Sequence, residues 1–190
     1  MRLFVALEIP SAVRDHLAEL SKELQSIDYV GSKSEARWVR PENLHITLKF
    51  IGHVDAGKLE PIRTALAQVR SGQSVDLRFR GLGFFPSERR PRVLWAGMEA
   101  SPNLAPLAKD IDVSLEKFGI PRETREFTPH LTLARFDPPG ISERLRMAVQ
   151  ENSARDFGTL HKREFHLIES KLKRAGAEYT ALHSFSFSEA

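Results

Sequence analysis

Two short stretches of this chain carry one chemical pattern, His45-Ile46-Thr47-Leu48 and His130-Leu131-Thr132-Leu133. In a strand, successive side chains point to opposite faces. Each histidine therefore shares a face with the threonine two residues on, and the leucines face the other way. Imidazole titrates near pH 6.5 and serves as a base in one form and an acid in the other. Two imidazoles at one site divide those roles, each worth about 10²–10⁴ in rate. Threonine hydroxyls donate hydrogen bonds to anionic oxygens. The set suits in-line attack on a phosphodiester. One imidazole activates the nucleophile, the opposed imidazolium protonates the leaving oxygen, and donors hold the non-bridging oxygens. A single His-x-Thr on a strand is more often a half-buried structural pair. With 7 histidines in 190 residues, two His-x-Thr-Leu matches arise in roughly one shuffled chain in a thousand or fewer.

Each tetrapeptide lies downstream of a strand–helix unit. Residues 3–9 read as a strand, and Pro10-Ser11 opens a helix with Ser11 as its cap. Val13, Leu17, Leu20 and Leu24 form that helix's apolar face. Residues 93–98 read as a second strand, and Ser101-Pro102 opens a helix whose stripe is Leu104, Leu107, Ile111, Leu115 and Phe118. The run Leu3-Phe4-Val5-Ala6-Leu7 echoes Val93-Leu94-Trp95-Ala96-Gly97. Further strands are predicted over 37–39, 44–51, 75–85, 130–136, 165–168 and 179–187, with a turn at Ala175-Gly176. Helices are predicted from Asp55 to Arg70 and over 142–152. This is an α+β chain: one domain of two intertwined, pseudo-symmetric lobes, with repeat units of approximately 1–88 and 89–190. Antiparallel or mixed sheets, helices on the outer faces and an active-site cleft between the lobes are expected.

Composition narrows the chemistry. The absence of cysteine excludes a disulfide framework, a thiolate nucleophile and Cys-ligated metal. Hydrophobic residues at 41% and charged residues at 28% are those of an ordinary globular protein. The N-terminal apolar stretch is broken by Glu8 and Pro10, too early for a secretion signal. No run approaches the roughly 18 apolar residues of a membrane span. A cytoplasmic monomer with no membrane partner is expected. The net charge of +3 admits a phosphate-bearing ligand without suggesting a polycationic tail.

At this point the chain resembles the 2H phosphoesterase superfamily, named for two His-x-Thr-x motifs. Within it, the chain is similar to the RNA 2′,3′-cyclic phosphodiesterases, also called 2′-5′ RNA ligases. The resemblance runs end to end and includes Arg37-Trp38-Val39, residues 42–52 around His45, residues 91–97, residues 127–135 around His130, and residues 169–172. It implies hydrolysis of a 2′,3′-cyclic phosphate to a 2′-phosphate, with neither metal nor cofactor. It implies that His45 is the general acid and His130 the general base. Thr47 and Thr132 would bind substrate, Arg135 would contact the phosphate, and Phe50 would stack on a base. The partner is then RNA with a 2′,3′-cyclic phosphate end, or a cyclic nucleotide. Enzymes on small nucleotides such as an ADP-ribose cyclic phosphate, and a non-catalytic RNA-end binder, are the competing readings. Strict alternation from the histidines would send Phe50 and Arg135 into the core, so their roles require a bulge, or the end of the strand, at each place. His16, His53, His161, His166 and His183 read as surface or structural residues. Trp38 and Trp95 read as packing residues, with Trp38 near enough to edge the cleft. Tyr179 has a hydroxyl for either a structural or a site role. The run Arg89, Arg90 and Arg92 reads as a solvated turn that could also guide an RNA backbone.

Overall fold

The apolar run at the N-terminus becomes the centre of a sheet because it is buried on both faces. In the computed structural model, which describes residues 1–28, 35–71, 73–137, 139–173 and 176–187, β1 (Arg2–Glu8) has five consecutive buried residues. Leu3, Val5 and Leu7 enter the main core. Phe4 and Ala6 form a separate small cluster with Ile168 on the opposite face. The remaining strands are β2 (Glu35–Trp38), β3 (His45–His53), β4 (Val75–Phe85), β5 (Val93–Ala100), β6 (Leu131–Asp137), β7 (Asp156–Lys162), β8 (Glu164–Lys173) and β9 (Gly176–Ser186). The helices are α1 (Ser11–Asp28), α2 (Leu59–Leu66), α3 (Leu104–Glu116) and α4 (Glu143–Glu151).

One sheet has the order β3-β1-β8-β9 and the other β2-β6-β5-β4-β7. Every strand pairing in them is antiparallel. The chain passes between sheets several times: β2 belongs to the second sheet, β3 to the first, β4 to the second, and β8 returns to the first. The two sheets are thus built from interleaved segments. A single hydrophobic cluster takes residues from both, including Val5 and Leu7 from one and Phe79 and Leu133 from the other. Helix α1 packs on α4 and β7, and α3 packs on α2 and β3.

The positions of the helices differ from their sequence signals in three places. Arg14 donates its backbone N–H to the Pro10 carbonyl, so Pro10 caps α1 and Ser11 is its first turn. The segment after Asp55 begins as a 3₁₀ turn, Ala56–Lys58, and α2 ends at Leu66 rather than Arg70. Helix α3 starts at Leu104, because the Ser101 hydroxyl is occupied by the Asp76 N–H and the Asn103 side chain. Ser142 does cap α4, accepting from the Leu145 N–H. Strand β7 has no counterpart among the predicted strands. Its buried residues, Phe157 and Leu160, are three apart, and Gly158 between them has φ +111°. A bulge in the β4–β7 pairing accounts for the lost alternation. The predicted Ala175-Gly176 turn lies partly outside the described residues.

Candidate active site

His45 is the first residue of β3, and His130 immediately precedes β6. Both are anchored in the same way. His45 Nδ1 lies 2.7 Å from the Asn43 carbonyl oxygen, and His130 Nδ1 lies 2.8 Å from the Thr128 carbonyl oxygen. A carbonyl only accepts, so Nδ1 carries the proton in each ring. In the neutral imidazole Nε2 is then the free lone pair, and in the imidazolium it is the donor. Both rings therefore present the same nitrogen for chemistry.

The two carbonyls are themselves held. Asn43 is buried, and its amide donates to the Ala177 carbonyl at 2.7 Å, joined there by Arg40 at 2.9 Å. This ties the turn before His45 to β9. On the other side, the loop leading to Thr128 is tied to β3. Lys49 Nζ donates to the Pro121 carbonyl at 2.7 Å and pairs with Asp112 on α3 at 2.5 Å. The Asp112 carboxylate also accepts the Glu123 backbone N–H. Asn43, Lys49 and Asp112 carry no signal of this role in the motifs, because their side chains reach mostly backbone atoms, which any residue type supplies, at positions far away in sequence.

Thr47 and Thr132 lie on the site face, half-buried, and neither hydroxyl has a hydrogen-bond partner among the described residues. Beyond each threonine the strand bulges. Between β1 and β3 the register passes from Ala6↔Thr47 to Val5↔Lys49, skipping Leu48. Between β5 and β6 it passes from Trp95↔Thr132 to Leu94↔Ala134, skipping Leu133. Two consecutive residues are consequently buried in each strand, Leu48-Lys49 and Leu133-Ala134, and the alternation inverts. Phe50 and Arg135 emerge on the exposed side at the same step past the bulge. Phe50 is 56% exposed, which removes it from the core, and its ring centroid is 6.3 Å from that of Phe4.

The same register corrects the internal echo. Ala6 and Trp95 oppose the threonines, and Phe4 and Val93 oppose Phe50 and Arg135. The structural repeat therefore pairs Phe4 with Val93, one residue away from the match suggested by Leu3 and Val93.

Around His45 stand Phe4, at 4.7 Å between ring centroids, and Tyr179, edge-on at 5.2 Å. Around His130 stands Phe85, edge-on at 5.0 Å and itself 5.2 Å from Trp95. The Trp95 indole lies over Gly83, where a Cβ would come within 2.3 Å of the ring. Tyr179 thus belongs to the site, while Trp38 is partly buried and packs against the core. Of the other histidines, His16 bonds the Phe157 carbonyl, His161 pairs with Asp76 and His166 bonds Ser184. No group of three or more metal-ligating side chains occurs among the described residues.

The electrostatics link the two strands. His45 is held below its ordinary pKa, chiefly by burial, with the Arg135 and His130 charges adding to it and the Asn43 bond opposing it. His130 is also held low, by burial first and then by Arg135, against the Thr128 bond. Strands β3 and β6 are in contact. His45, His130 and Arg135 therefore share one electrostatic neighbourhood.

Two antiparallel sheets, interleaved in sequence and each bearing one His-x-Thr strand, define the class: a bilobal α+β phosphoesterase fold. The chain belongs to the LigT-like phosphoesterase family, whose pattern matches residues 7–95 and 98–179. It is 33% identical over 186 residues to an RNA 2′,3′-cyclic phosphodiesterase of Methanothermobacter thermautotrophicus, covering 97% of this chain and 98% of that one. An Archaeoglobus fulgidus protein of the same name is 35% identical over 97% of this chain and 99% of its own. Among solved structures, a Thermus thermophilus protein superposes with TM-score 0.78 at 32% identity, covering 98% of each chain. Escherichia coli LigT complexed with 3′-AMP superposes with TM-score 0.75 at 26% identity, again over 98% of each.

Proposed function

We propose that this protein hydrolyses the 2′,3′-cyclic phosphate at an RNA end to a 2′-phosphate, by acid–base catalysis between His45 and His130 and without a metal. The observation that carries the reading is the matched tethering of two imidazoles, each through Nδ1, at the starts of two strands that are in contact. The names of the relatives supply the substrate class, and the family resemblance supplies which histidine does what. Neutral His130 takes a proton from water through Nε2 as the water oxygen bonds to phosphorus. The bond from phosphorus to the 3′-oxygen breaks, and protonated His45 delivers its Nε2 proton to that oxygen. Atoms balance: the water hydroxyl ends on phosphorus and a 3′-hydroxyl is left. Arg135 and the Thr47 and Thr132 hydroxyls hold the non-bridging oxygens, and Phe50 offers a face to a base. A 5′-hydroxyl in place of water would give a 2′-5′ linkage by the same exchange. The proposed site residues include no carboxylate, the ligand type that a hard divalent ion needs.

Product analysis on an oligoribonucleotide with a 2′,3′-cyclic end, in EDTA, tests this. A 2′-phosphate with a free 3′-hydroxyl is expected at undiminished rate. His45→Ala and His130→Ala should each slow turnover by about 10²–10⁴, and the double variant should be little slower than either. A 3′-phosphate product, a divalent-ion requirement, or near wild-type turnover by either histidine variant would overturn it.

A further inference from the structure

Strand β2 sets a second arginine beside Arg135. The register pairs Arg37 directly with Arg135, with Trp38 opposite Ala134 and Ala36 opposite Phe136. Directly opposed residues in an antiparallel pair share a face, with Cα atoms about 4.5–5.5 Å apart. Ala36 and Trp38 pack against the core, so Arg37 between them points to the other face, the one that bears Arg135. Like charges directly opposed in a sheet destabilise it. Arg135 has no hydrogen bond or ion pair among the described residues. Among the described residues Arg37 pairs with Asp137 at 3.7 Å, and those side chains are 71% and 68% exposed. A pair so exposed is worth at most about 1 kcal/mol and exchanges readily for another anion. Two adjacent guanidiniums with one exposed carboxylate paired to them among the described residues make a seat for an anion with more than one charge. Since Arg135 is the candidate ligand for the terminal phosphate, the next phosphate of the same strand is the one that Arg37 can meet.

We infer that Arg37 binds the phosphodiester adjacent to the reacting phosphate, and so favours an RNA chain over a mononucleotide. This rests on the phosphodiesterase reading above. Binding of a short oligoadenylate ended in a 2′-phosphate is compared with binding of adenosine 2′-monophosphate, across a salt series. Arg37→Gln should cut the preference for the oligonucleotide about tenfold, the scale of one hydrogen bond between charged groups. The slope of log affinity against log salt should fall by about 0.7, the value for one phosphate contact on a single strand. Arg37→Lys should retain the slope and lose part of the affinity, because it keeps the charge but not the fork. Equal effects on both ligands, or an unchanged slope, would overturn the inference. Binding requires no turnover, so the two readings fail separately. A wild type that cleaves the cyclic end while Arg37→Gln keeps the full preference defeats only the Arg37 inference. A wild type that shows the Arg37-dependent preference but leaves the cyclic phosphate intact upholds this inference and defeats the hydrolytic reading.

Discussion

Arg135 acts on both histidines through its charge, beside the phosphate contact proposed for it. Its cation disfavours the imidazolium form of His45 and of His130. Arg135→Ala removes that repulsion, so both pKa values rise. In the proposed mechanism, rate on the acid side is lost when His130 becomes protonated; a higher pKa moves that limb to higher pH. On the alkaline side, rate is lost when His45 gives up its proton; a higher pKa moves that limb up too. The whole bell in kcat/KM should therefore shift upward in pH, while KM rises about tenfold to a hundredfold for the lost charge-assisted contact. A profile that keeps its wild-type limbs in the Arg135→Ala enzyme would show that the field of Arg135 is not felt at the histidines. His45, Thr47, His130 and Thr132 were legible in the sequence because period two and repetition are visible there. The emergence of Phe50 and Arg135 was implied by the family resemblance alone, against strict alternation. It depends on bulges at Leu48 and Leu133, and leucine carries no bulge signal of the kind that glycine would.

At the scale of elements, each bulge buries one residue that alternation would have exposed, and the two strands use it differently. In β6 it is Ala134. In β3 it is Lys49, whose ammonium reaches across to Asp112 and to the Pro121 carbonyl, where it ties down the loop that orients His130. Both partners are mostly buried, with side-chain exposures of 6% and 15%. Removing one leaves the other charge without its partner, which costs about 3–5 kcal/mol. Lys49→Met should lower the unfolding free energy measured in urea by that amount, read as a lower midpoint at unchanged slope. Lys49→Met/Asp112→Leu should recover most of it, since an apolar pair of similar volume replaces the ions. If the tie positions His130, the double variant regains stability without regaining kcat, and KM changes little. Recovery of both together would make the pair purely structural. No periodicity announces such a tie, because a lysine after His-x-Thr-Leu looks like an ordinary solvated residue of an alternating strand. The same blindness hid β7, where a bulge replaces alternation by a spacing of three.

For the molecule as a whole, the interleaving of segments has a thermodynamic consequence. The α+β class and the duplicated strand–helix unit were readable, since each helix has its own apolar stripe. Intertwined lobes were expected, but which strands cross between the sheets was not readable, because pairing partners far apart in sequence leave no local mark. Strand β1 lies between β3 and β8, so the first sheet needs residues from both ends of the chain. Strand β4 lies between β5 and β7, so the second sheet needs a strand that precedes residue 89. One core joins them. We therefore expect the two halves to unfold together, in a single transition whose calorimetric and van't Hoff enthalpies agree. Leu7 in β1 and Leu133 in β6 are both fully buried, one under each sheet. Leu7→Ala and Leu133→Ala should each destabilise by about 2–5 kcal/mol and move that same transition as a unit. A fragment of residues 1–88 lacks the β8 partner of β1 and carries β4 without its neighbours. It should show no cooperative melt and little dispersion of its amide resonances. Two resolved transitions in the full chain, or a fragment 1–88 that melts cooperatively, would show instead that each half holds a core sufficient for its own stability.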